Sequence, residues 1–192
     1  MIASRLQIKL FLENPDALEL SALTGVFQRW IQDKALEGLL IDVAEYTHVH
    51  QGPGVMLIAH EANYSVDETD GKRGLLYNQK RTPEKSGEEH LKTAFRRALK
   101  ACLLLENEPE TAGKLKFNAG HFRIFINDRL AAPYGPQGRE DFEKILKPFL
   151  DSLYEGASCL FLPEMDHRKQ VGFEVKVGKA FEMKDLMEKL KV

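Results

Sequence analysis

The sequence predicts an α+β fold, an antiparallel-rich sheet with helices packed on one side of it. Three observations carry that expectation. Short segments alternate strictly between apolar and polar residues, as RLQIKLFL does at 5–12, the period of a strand with one buried face. Longer segments place apolar residues three and four apart, as Leu91, Phe95, Ala98, Leu99 and Cys102 are, the period of a helix with one buried stripe. The order strand, helix, strand, strand, helix occurs twice, over 1–110 and 111–192. Identity between those halves is slight, so the repeat is one of pattern. It suits a ferredoxin-like sandwich built as a single compact unit over 1–192.

In the first strand Leu6, Ile8, Leu10 and Leu12 point one way, and Arg5, Gln7 and Lys9 the other. Asn14 and Pro15, or Ser21 further on, start the helix that follows. Leu23, Phe27, Trp30 and Ile31 form its apolar stripe, and Gly38 is its stop. LLIDVAEY (39–46) and VMLIA (55–59) are near-continuous apolar runs, expected as central strands covered on both faces. GLLYNQKR (74–81) is a further strand. Ser86 and Glu89 make a capping box for the second helix, which ends before Pro109. KLKFN (114–118) and FRIFIN (122–127) are strands divided by a turn at Gly120 or bulged into one. Phe142, Leu146, Phe149 and Leu153 mark a third helix, kinked at Pro148. SCLFL (158–162) and GFEVKV (172–177) pair across a polar turn, and MKDLMEKLKV (183–192) is a short helix.

Hydrophobic residues make up 43% of the 192 and charged residues 29%, a balance that supports a buried core and excludes a disordered chain. Cys102 and Cys159 both sit in apolar registers. A disulfide framework is therefore not expected, and a reducing, cytoplasmic setting is. No apolar stretch approaches the roughly 18 residues of a membrane span. The segment MIASRLQIKLFLEN also lacks the unbroken apolar run of a signal peptide.

The richest polar stretch is HVHQGPGVMLIAHEANY (48–64), with three of the six histidines. Pro53 and Gly54 suit the central positions of a type II turn. That turn pairs Thr47 with His60 and Tyr46 with Glu61, and so divides His48 and His60 between opposite faces. A three-residue loop would instead bring them diagonally together, roughly 7 Å apart. The first register is preferred, which removes a shared metal ion; no metal site is assigned. HEANY is not the zinc motif H-E-x-x-H, because Tyr64 stands where the second histidine belongs. The same register collects Asp42, Tyr46, His48, Glu61 and Asn63 on one face. Glu61 and His48 there form a candidate acid–base pair, oriented by Asp42 and Tyr46, with Asn63 as a ligand contact. The simpler reading of this face is a hydrated, hydrogen-bonded surface.

The net charge of −2 conceals an asymmetry: residues 72–100 hold nine basic residues against three glutamates, leaving −8 elsewhere. Lys72, Arg73, Lys80, Arg81, Lys92 and Arg96 are therefore candidate anion contacts. RGLLY (73–77) lacks the aromatics of an RNA-recognition strand, and the overall charge weighs against nucleic acid. Phosphate-binding loops, dinucleotide fingerprints, nucleophile elbows and EF-hand loops are absent from the sequence, so no cofactor is implied. The leading expectation is a binding protein for a small anionic ligand or a protein partner. An acid–base enzyme using Glu61 and His48 comes second, and sequence-independent nucleic-acid binding through 72–100 third. Homodimerisation is the default expectation for a small sheet protein.

Overall fold

The computed structural model describes residues 5–17, 19–81 and 87–191. In chain order they form β1 (Leu6–Leu12), α1 (Leu23–Asp33), β2 (Leu40–Tyr46), β3 (Gly54–Ala59), β4 (Ala62–Asp67), β5 (Gly74–Gln79), α2 (Gly87–Asn107), β6 (Phe117–Ile126), α3 (Pro136–Leu153), β7 (Cys159–Pro163), β8 (Gly172–Val177) and α4 (Met183–Lys189). All eight strands join one open sheet in the order β2-β3-β4-β5-β1-β6-β8-β7, with every neighbouring pair antiparallel. The fold is thus α+β, as the periodicities predict.

The helices share one face of this sheet. α1 lies on β2 and β3, α2 on β5 and β1, α3 on β7 and α4 on β6. A single core joins them. Leu6, Ile8 and Leu10 of β1, Tyr64 of β4, Tyr77 of β5 and Phe122 of β6, and Trp30, Phe95, Leu99 and Phe149 of the helices are all buried in it. Phe95 bridges the layers, with its ring centre 5.3 Å from Phe122 on β6 and 5.1 Å from Phe149 on α3. None of the helices among the described residues is long and apolar enough to cross a membrane.

Several local expectations change. LLIDVAEY is not a central strand: β2 lies at the sheet's edge, and Ile41 is exposed beside it in a bulge against β3. Residues 55–64 are not one strand either. They break at His60 and Glu61 into a two-residue turn, giving β3 and β4. The apolar alternation carries the reason. Val55, Leu57 and Ala59 are buried at odd positions, whereas Ala62, Tyr64 and Val66 are buried at even ones. A turn of even length, here two residues, lets both sets face the same core.

Four strands, one more than the three segments read from the sequence at 39–46, 55–59 and 74–81, therefore separate α1 from α2. α1 stops at Lys34, which takes the left-handed conformation (φ 51°) that was expected of Gly38. KLKFN and FRIFIN merge into the single strand β6, with a bulge opposite β1 between Leu10 and Leu12. α3 runs as one helix across Pro148, which lies on its exposed side. The capping box at Ser86 falls outside the described residues.

Candidate functional site

The sheet face opposite the helices carries none of them, and the strand registers order its side chains into three rows. The first row runs Asp42, Ile58, Asn63, Asn78, Gln7 and Phe125 across β2, β3, β4, β5, β1 and β6. The second runs Ala44, Met56, Ser65, Leu76, Lys9, Arg123, Glu174 and Leu162. The third ends at His121, Lys176 and Leu160. Amides knit the first row together. Asn78 Oδ1 accepts from Gln7 Nε2 (3.3 Å) and Asn127 Nδ2 (3.1 Å), and Asn127 Oδ1 accepts from Gln170 (3.2 Å). Asn63 Oδ1 is buried without a hydrogen-bond partner among the described residues.

Ion pairs hold the centre. The Lys9 ammonium is buried against the Asp67 carboxylate and reaches the carbonyl of Thr69 at 3.3 Å. Burial lowers the Lys9 pKa, and Asp67 partly restores it. The 68–73 connection folds over this pair, and Asp70 accepts from Arg123 (2.8 Å) and Lys169 (2.7 Å). Glu174 accepts from Lys72 (2.8 Å), His121 (2.8 Å) and Arg123 (3.0 Å). Burial opposes its charge, but the hydrogen bonds from Lys72, His121 and Arg123 outweigh that and hold its pKa down to about 2. The Phe11 ring lies beneath, 4.6 Å from the His121 ring. In this cluster four cations, Lys9, Lys72, Arg123 and Lys169, meet four carboxylates, Asp67, Asp70, Glu164 and Glu174.

The residues singled out from the sequence are dispersed. Asp42, Tyr46 and Asn63 do share the uncovered face. His48 and Glu61 do not meet. Tyr46 pairs with Gly54 rather than Glu61, so 47–53 is a seven-residue loop with His48 exposed in it. Glu61 lies beyond the other end of β3, a separation set by a six-residue strand of roughly 17–20 Å. Its partner is the adjacent His60, whose Nδ1 is 2.8 Å from Glu61 Oε1.

The basic segment is likewise divided. Lys72 pairs with Glu174, Arg73 with Glu68, Lys92 with Glu88 and Arg96 with Glu37. Lys92 and Arg96 are on α2, on the helix side of the sheet, whereas Lys72 is on the uncovered side. Lys80 and Arg81 are exposed just past the end of β5. Most of these cations thus already have carboxylate partners, and no single patch unites them. Among the described residues no three His, Cys, Asp or Glu side chains converge as a metal site would require.

No protein-family model and no curated protein sequence matches this chain.

Three features escaped the sequence. The central cluster joins residues up to about a hundred positions apart, such as Lys72 with Glu174. Lys9 had shown only as a polar position in an alternating strand. The second feature is a cavity of about 310 Å³ beside the start of β6, lined by Glu13, Glu106, Lys116, Asn118, Lys179 and Glu182 among others. Glu106 Oε1 accepts the Phe117 N–H at 2.7 Å. Burial raises the Glu106 pKa, Phe117 and Lys116 oppose the rise, and Glu13 and Glu182 add to it. Buried His90, also unremarked, bonds Gln79 at 2.7 Å within the core layer.

Proposed function

We propose that this protein is a protein-binding module whose docking surface is the helix-free face of the sheet. One observation carries the reading: the helices lie on the opposite face, while this one presents Met56, Ile58, Leu76 and Phe125, half-buried, between rows of amides. Tyr46 at one lateral edge and Leu160 and Leu162 at the other are exposed. Eight strands at about 4.8 Å spacing span roughly 34 Å. Over roughly 20 Å of strand length, that surface approaches the ~800 Å² each partner contributes to a standard interface. Small ligands require concavity, and the cavity described above lies at the β6–β8 end rather than on this face. This favours a protein over a small anionic ligand as the occupant.

The balanced charges at the centre of the face favour a partner of low net charge and count against a polyanion. A second copy of the chain is one such partner. The chain reads as a single unit in a reducing, cytoplasmic setting, in keeping with its two free thiols. A two-half, ferredoxin-like organisation is supported by β1 and β6, the first strand of each half, lying side by side and flanked by β5 and β8.

Crosslinked capture followed by affinity measurement with each purified partner tests the proposal. Met56→Arg and Leu160→Arg should weaken a genuine partner at least tenfold, whereas Lys147→Ala on α3 should not. The proposal fails if no purified partner binds, or if every partner binds the face variants as tightly as the unaltered protein.

A further inference from the structure

The cavity beside β6 exists because two strands part. β6 begins at Phe117, yet its pairing with β8 stops at His121 and Lys176. Residues 178–182 lead away into α4, and Glu106 in the last turn of α2 lines the gap. Side chains bond the main chain of this parted stretch. Glu106 accepts from Phe117, Tyr154 Oη donates to the Ala119 carbonyl (2.6 Å), and Asn118 Oδ1 accepts the Gly120 N–H (2.9 Å).

The charges lining the cavity are not balanced. Glu13 has Lys116 as a partner at 3.8 Å, and the Lys179 ammonium lies 5.3 Å from the centre of the Phe181 ring. Glu182 precedes α4 without capping it through its side chain. Neither Glu106 nor Glu182 has an ion-pair partner among the described residues. Glu106 spends one oxygen on Phe117 and keeps the other. A half-buried carboxylate in this state gains from any cation that reaches it.

We infer that this cleft binds a small organic ammonium ion, its charged group between Glu106 and Glu182 and its hydrocarbon body against Phe117, Val177 and Met183. Organic ammonium fits better than a divalent metal. A calcium ion takes six to eight oxygen ligands, whereas an ammonium is satisfied by a few acceptors and by apolar walls. The volume of about 310 Å³ stands at the lower end of ligand sites, so the ligand is of amino-acid size or smaller. Lys116 and Lys179 at the same cavity leave room for a terminal carboxylate on it.

Titration of the ¹⁵N-labelled protein with n-butylammonium, against n-butanol as the neutral counterpart, tests this inference. The amine should produce saturable shifts of the amides at 117–120 and 178–183, and the alcohol should not. Glu106→Gln keeps an acceptor for Phe117 and should weaken binding at least tenfold. Glu182→Gln, at an exposed position, should do the same and decides the matter if the first variant is misfolded by circular dichroism. The inference is overturned if the amine gives no saturable shifts there, if the alcohol matches it, or if folded variants bind as well as the unaltered protein.

Discussion

Lys9 faces the helix-free side of the sheet and yet is only 5% exposed. The 68–73 connection covers it, and Asp67 neutralises it. Breaking a buried pair from one side leaves an uncompensated charge, which costs about 3–5 kcal/mol. Asp67→Asn should accordingly lower the urea midpoint by that amount of stability, while Lys9→Met combined with Asp67→Leu should recover most of it. Glu174 makes a pH-dependent contribution. Its pKa of about 2 lies below the ordinary glutamate value of about 4.3. The stabilisation is therefore complete above roughly pH 5 and lost as pH falls towards 2. Urea unfolding at several pH values should show Glu174→Gln less stable than the unaltered protein by about 2–3 kcal/mol at pH 6. That difference should shrink progressively by pH 2.5.

At the scale of elements, the β2–β3–β4 meander shows what local reading gains and misses. The strand periods at 40–46 and 55–59 were legible because β-branched and apolar residues cluster there. The turn was not, because Pro53 and Gly54 imitate a tight hairpin while the chain forms a loop over 47–53. Gly54 opens β3 instead, with φ 62°, and a Cβ placed there would lie 2.0 Å from the Val66 carbonyl oxygen. Gly54→Ala should therefore cost at least about 2–3 kcal/mol, from left-handed strain together with the clash. Gly113→Ala, at φ 72° with open space around it, should cost only about 1 kcal/mol. Thermal melting of the two variants separates packing from conformational strain.

On the scale of the whole molecule, the one-sided layering is the main functional statement. Packing the helices on one face satisfies the apolar side of every strand, and it leaves the other side to the rows of amides, apolar side chains and ion pairs. The Met56→Arg and Leu160→Arg tests belong at this scale. Each residue alone is an ordinary surface contact, and only their placement on one face, half-buried Met56 on β3 and exposed Leu160 on β7, makes a docking surface.

Periodicity within the sequence determined the α+β class, the helical segments, the buried stripe of β1 and the apolar settings of both cysteines, since each depends on neighbours within a turn or two of chain. Tertiary structure alone decided that β2 is an edge, that His48 and Glu61 lie apart, that most of the basic candidates are ion-paired, and that Lys9, Asp67, Arg123 and Glu174 meet. Those outcomes depend on strand order and register, in which a one-residue shift reverses the face of every side chain. They also depend on contacts across about a hundred residues, which no local period encodes.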